Sequence, residues 1–220
     1  MIVRWALENA GQIWSLTLNH LVIAAPPIVL SLVLAIPLGW WAHRHGTVRQ
    51  VLLTGSGFLY ALPSLPLFVI LPVLIGTRIL DPLNVVVALT LYGLALMVRT
   101  ATEAFDAVDG TVRENAVAVG HSPAQRFWRV DLPLAGPPLL AGLRVVSAST
   151  LSLVSVGALI GVRSLGYFFT DGYTRSFVTE IAVGILGTVV LALAFDALLV
   201  LGGRILLPWV RATDTRTGAA

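Results

Sequence analysis

Apolar runs, each about as long as a bilayer is thick, fill most of this sequence. A helical span takes about 20 mostly apolar residues at about 1.5 Å of rise each. Five runs can be read this way: 21–42, 51–75, 84–98, 138–160 and 181–203. The second is interrupted by Pro63, Pro66 and Pro72. It is either one kinked helix or a span plus a re-entrant piece, so six spans is the alternative count. The third is short, and either begins nearer Leu80 or runs past Arg99.

Composition closes off the other classes. Only 11% of the 220 residues are charged and 57% are hydrophobic, whereas an ordinary soluble domain carries about 25% charge. A disordered chain would be richer in charge and poorer in apolar residues. There is no cysteine, which excludes disulfides, thiolate metal sites and cysteine nucleophiles. Every basic residue is arginine, scattered between the apolar runs; a nucleic-acid binder would gather them on one face. The expected fold class is an all-α integral membrane protein of about five transmembrane helices.

Arginine asymmetry gives an orientation. With the N-terminus outside, Arg44, Arg49, Arg99, Arg113, Arg126, Arg129, Arg144, Arg204, Arg211 and Arg216 fall inside. Only Arg4, Arg78, Arg163 and Arg175 fall outside. Trp40, Trp41 and Trp209 then mark the inner boundary. Residues 1–20 read as an N-terminal interfacial segment rather than a signal peptide, because Glu8 and Asn9 interrupt the stretch that would have to be apolar. Its helix would cover 5–18, with Trp5 and Trp14 at headgroup level. Residues 21–207 are expected to form one membrane domain and 208–220 a cytoplasmic tail.

The longest polar stretch, 102–136, carries the most local information. Thr111 and Glu114 form a T-x-x-E capping-box pattern, so a helix is expected from Val112, with Val112, Ala116 and Val119 on one face. Gly120 suits the left-handed residue that ends a helix. Ser122, Pro123 and Gln125 then form a second capping box, opening a helix that presents Phe127, Trp128 and Val130. Pro133 is expected to stop it, and Pro137–Pro138 to open the fourth span. Such a capped helix–turn–helix, bearing an apolar stripe flanked by arginines, suits docking to a cytoplasmic partner. Arg113, Arg126 and Arg129 face either that partner or lipid headgroups and water.

The segment ENAVAVGHSPAQRFWRVDLP resembles the EAA motif of binding-protein-dependent ABC importer permeases, E-A-A-x3-G-x9-I-x-L-P. Glu114, Ala116, Gly120, Leu132 and Pro133 are in register; Asn115 replaces an alanine and Val130 the isoleucine. Longer segments, among them LTLNHLVIAAPPIVLSLVLAIPLGWWAHR and LYALPSLPLFVILPVLIG, resemble the osmoprotectant branch, which carries glycine betaine, carnitine, choline or proline betaine. GVRSLG at 161–166 departs from it, with Arg163 where relatives have small residues.

The resemblance implies a type I importer permease, the membrane subunit of an ATP-driven transporter and not an enzyme, in the bacterial inner membrane. Its loop would be the coupling region that docks on a separate ABC ATP-binding subunit. A second permease, identical or paralogous, and an extracytoplasmic solute-binding protein would complete the complex, with lipid around it. ATP and Mg would be used by the partner, since this chain has no phosphate-binding Gly-x4-Gly-Lys-Ser/Thr loop and binds no cofactor itself. The alternatives are another small polar cargo such as methionine, or a secondary transporter, which would show inverted repeats and more intramembrane charge.

For the path, the broken second run points to Pro63 and Ser64, because non-helical backbone at depth must face protein or water. Tyr60 and Tyr92 are the aromatic candidates at depth for a quaternary ammonium group. Asp196, roughly 10 Å from Gly203 along the fifth span, must face protein or a watery cavity; it either pairs with Arg144 or Arg204 or lines the path. Small residues around Gly184 and Gly187 would allow close helix approach, within the subunit or across a dimer.

Overall fold

The computed structural model describes residues 2–78 and 81–209. Leu80, Arg211, Arg216 and the tail beyond 209 lie outside the described residues. Those described form helices and short connections: α1 (Ile2–Glu8), α2 (Ala10–Arg44), α3 (Gly46–Ala61), α4 (Ser64–Ile75), α5 (Pro82–Asp106), α6 (Gly110–Ala118), α7 (Pro123–Arg126), a π-helical turn (Phe127–Asp131), α8 (Leu132–Val156), a 3-10 turn (Gly157–Ile160), α9 (Tyr167–Thr174) and α10 (Val178–Leu206). Four helical stretches are long and apolar enough to cross a membrane, and the bent α3–α4 pair makes a fifth crossing if counted as one span.

At the centre lies α5. Asp81 caps it, its carboxylate accepting from the Leu83 amide at 2.9 Å with Pro82 in the first turn, as N-cap chemistry favours. Val85, Leu89, Met97 and Phe105 are all sealed from solvent, against α2 on one side and α8 on another. α10 packs on α8 and α9 and turns Val190, Leu193, Leu198 and Ile205 outward, as a lipid-facing helix does. Gly184 lets α10 approach within the subunit: a Cβ there would meet Phe169 at 2.8 Å and Phe168 at 2.9 Å.

Three sequence expectations are changed or resolved. First, the interfacial helix expected over 5–18 is divided at Asn9, and Ala10 already belongs to the 35-residue α2. Trp5 is not in the headgroup layer alone; it packs edge-on against Phe168 and Phe177, with centroids 5.8 and 5.9 Å away. Second, of the two alternatives left open for the short third run, the structure shows continuation past Arg99, the helix ending at Asp106. Third, Pro133 does not stop the second loop helix, nor do Pro137 and Pro138 open a new one. Helix runs continuously over Pro123–Ile160. The π turn immediately before Pro133 supplies the reason. Proline lacks an amide proton, and its ring presses on the carbonyl four residues back. Widening the helix there, with the Leu132 amide bonded to the Phe127 carbonyl five residues back, carries the chain past the proline unbroken.

Candidate coupling loop and translocation path

The loop is built on Asp131. Its carboxylate is almost wholly buried, with 2% of the side chain exposed. Arg113 donates from Nε to Asp131 Oδ1 at 2.8 Å, and Arg126 Nε stands 3.4 Å from Oδ2. Arg113 also donates to the Phe105 carbonyl at the end of α5. One carboxylate thereby ties α6, α7 and the start of α8 to the central helix. Arg113 and Arg126 face inward to it, not lipid headgroups or open water; this pairing could not be read from spacing, because its partners are brought together only by the fold.

Asp109, not Thr111, caps α6. Its Oδ1 accepts from the Thr111 amide at 2.8 Å and from the Thr111 hydroxyl. The T-x-x-E box is therefore replaced by a cap two residues earlier; an ionised carboxylate is the stronger acceptor. These two bonds hold the Asp109 carboxyl below its ordinary value. A lowered folded value means the cap contributes at neutral pH and is lost only as pH falls through that value.

The helix stop is as read. Gly120 adopts φ +91°, its amide bonds the Val117 carbonyl at 2.9 Å, and the His121 amide bonds the Ala116 carbonyl at 3.0 Å, the paired bonds of a Schellman motif. Ser122 and Gln125 then exchange both capping-box bonds, at 3.3 and 2.9 Å. Ala116 is buried, while Glu114, Asn115 and Gly120 are exposed and Val130, Leu132 and Pro133 half-buried. Phe127 turns inward, edge-on to Trp40 with centroids 5.1 Å apart. The expected stripe is redistributed: within the loop, Val117, Val119 and Trp128 are the most exposed apolar residues, at 55, 79 and 67%. Beside the loop, Asp106 accepts from Arg49 and lies 2.6 Å from His43 Nδ1, fastening the ends of α2, α3 and α5.

At the break between α3 and α4 the helices turn by 106°. Leu62 and Pro63 are extended, with ψ of 134° and 137°; Leu62 is held there because a residue preceding proline avoids the helical region. The Tyr92 hydroxyl donates to the Leu62 carbonyl, and Tyr60 meets the Tyr92 ring edge-on at 6.1 Å. Tyr60, Pro63, Ser64 and Tyr92 are thus brought to one place. Asp196 is elsewhere: it is paired with Arg144, not Arg204.

Helices long and apolar enough to cross a membrane thus surround one exposed, capped helix–turn–helix. The chain belongs to the family described as binding-protein-dependent transport system inner membrane component, whose model matches residues 28–212. It is 31% identical over 200 residues to the osmoprotectant import permease protein OsmW of Salmonella typhimurium, covering 90% of this chain and 93% of that protein. It is 25% identical to the choline transport system permease protein OpuBB of Bacillus subtilis, over 94% of both chains. In fold it resembles the methionine ABC transporter MetNI in inward-facing form, with TM-score 0.72, 19% identity and 92% of this chain covered. The protein is therefore a multi-pass ABC importer permease, a transport component and not an enzyme, of a system that includes an ATPase and a solute-binding protein.

Proposed function

We propose that this permease imports compatible solutes such as glycine betaine, carnitine or choline. Likeness to an osmoprotectant permease along nearly the whole of both chains is the observation that carries this reading. The fold likeness to a methionine transporter, at 19% identity, speaks for architecture and does not favour methionine.

Two permeases, identical or paralogous, enclose the path and alternate between inward-open and outward-open states. The ATPase, which holds ATP and Mg, pushes through Glu114, Asn115, Ala116, Gly120, Val130, Leu132 and Pro133; the exposed Val117, Val119 and Trp128 supply apolar contact. The N-terminus and α9 face outside, and α6, α7 and the tail 208–220 face the cytoplasm. Residues 21–207 form the single membrane domain, and residues 1–20 lead into it from the outer surface. Tyr60, Pro63, Ser64, Tyr92 and Asp196 line the path.

The deciding experiment is uptake of labelled glycine betaine at low and high osmolarity, by cells with and without this gene, with carnitine, choline and methionine as competitors. Deletion should abolish uptake and the restored gene should recover it. Unchanged uptake together with no ATPase co-purifying would overturn the reading.

A further inference from the structure

The Arg144–Asp196 pair is unusual for its place. It is bidentate, Nε to Oδ1 at 2.6 Å and Nη2 to Oδ2 at 2.8 Å. Asp196 lies about 15 Å, and Arg144 about 18 Å, from the loop-side ends of their helices, well inside the hydrocarbon depth. Yet 45% of the Arg144 side chain and 33% of the Asp196 side chain are exposed. Charges so exposed at that depth do not face acyl chains, because an ion in hydrocarbon costs several kcal/mol. The face that carries them is wet or covered by protein.

From the pair, that face continues through small residues to a few hydroxyls. On α8, Arg144, Ala148, Ser152 and Ser155 follow one another at helical spacing, and on α10 so do Thr188, Ala192 and Asp196. Between them, toward α9, lies a largely apolar groove of about 390 Å³ in which Ser152, Ser155, Thr170 and Thr188 are the polar residues; Arg144 and Asp196 stand about two helical turns from it along the same seam. The Ser155 hydroxyl is buried and has no hydrogen-bond partner. An unpartnered hydroxyl beside a groove invites a polar occupant. Thr188 already donates to the Gly184 carbonyl at 2.9 Å, which leaves its oxygen free to accept.

We propose that the α8–α10 seam is a transit groove for a zwitterionic solute, Arg144 receiving its carboxylate and Asp196 its ammonium group. This rests on the compatible-solute reading above. An empty groove keeps the two charges paired with each other. A zwitterion replaces each partner with one of like charge, so the exchange leaves no charge uncompensated. A cation without a carboxylate engages Asp196 alone and leaves Arg144 unpaired. The seam therefore discriminates glycine betaine from choline.

The chain has no cysteine, so single cysteines report cleanly. In the complete importer, Ser152→Cys and Thr188→Cys should react with trimethylammonium-ethyl methanethiosulfonate, and glycine betaine should slow that reaction. Arg144→Gln combined with Asp196→Asn keeps a polar pair but removes both charges. It should lower the ratio of glycine betaine to choline uptake by about tenfold, the worth of a charged hydrogen bond. No labelling at either cysteine, or spontaneous cross-linking of Ser152→Cys chains to each other, overturns the proposal; the latter assigns the seam to a permease–permease contact. Labelling with both uptakes falling in proportion also overturns it, leaving the pair a structural brace. Uptake of neither solute by the unaltered importer overturns the cargo reading and the zwitterion assignment together.

Discussion

Gly120 occupies a backbone conformation that a side chain makes costly. No atom stands within 4 Å of where its Cβ would be, so the cost of substitution is conformational and not steric. A β-branched residue at φ +91° adds about 1–2 kcal/mol of strain and redirects the chain into α7. Gly120→Val should insert normally into the membrane and lose ATPase co-purification or transport; full transport would refute the docking role of the turn. Asp131 acts through burial instead. Asp131→Ala leaves Arg113 and Arg126 without their shared counter-charge, and breaking a buried pair costs about 3–5 kcal/mol. The expected result is a lower melting temperature of the purified protein and weak ATPase binding, with Asp131→Asn intermediate. Unchanged stability on removal would show that the carboxylate is not the loop's anchor.

Among the elements, the broken α3–α4 pair and the π turn both show proline setting geometry. Tyr92→Phe removes the hydroxyl that satisfies the Leu62 carbonyl. It should cost about 1 kcal/mol and slow transport without abolishing assembly, read by thermal unfolding and uptake rate. Pro133→Ala restores an amide and removes the reason for the π turn; as the helix reverts to α, α7 rotates relative to α8. ATP hydrolysis should persist while solute moved per ATP falls. The break at Leu62–Pro63 was legible because proline restricts its own residue and the one before it. Gly120 and the Ser122–Gln125 cap were legible because their chemistry is local. Asp131 was not, since its partners lie on other segments and it resembles any acidic residue in a polar loop. The continuity of α7 with α8 was hidden because proline reads as a stop unless the helix widens, and widening leaves no mark in composition. Asp109 was passed over because the Thr111–Glu114 spacing offered a competing cap.

For the whole molecule, arginine placement predicts sidedness that thiol labelling can check in this cysteine-free chain. Arg78→Cys should react with an impermeant reagent from outside intact cells, and Ser122→Cys only after permeabilisation; the reverse pattern would invert the topology. The continuous stretch Pro123–Ile160 has a mechanical corollary. Its 38 residues make a lever about 57 Å long, with one tip at the coupling loop and the other beside α9. Tilting it by about ten degrees around its midpoint carries each tip about 5 Å in opposite directions, by the same rise. A single piece of backbone thus reports motion both ways across the bilayer. In the importer proposed above, reciprocity then requires that a solute-loaded receptor docked at the α9 tip would bias nucleotide engagement at the other by as much as nucleotide would bias the receptor.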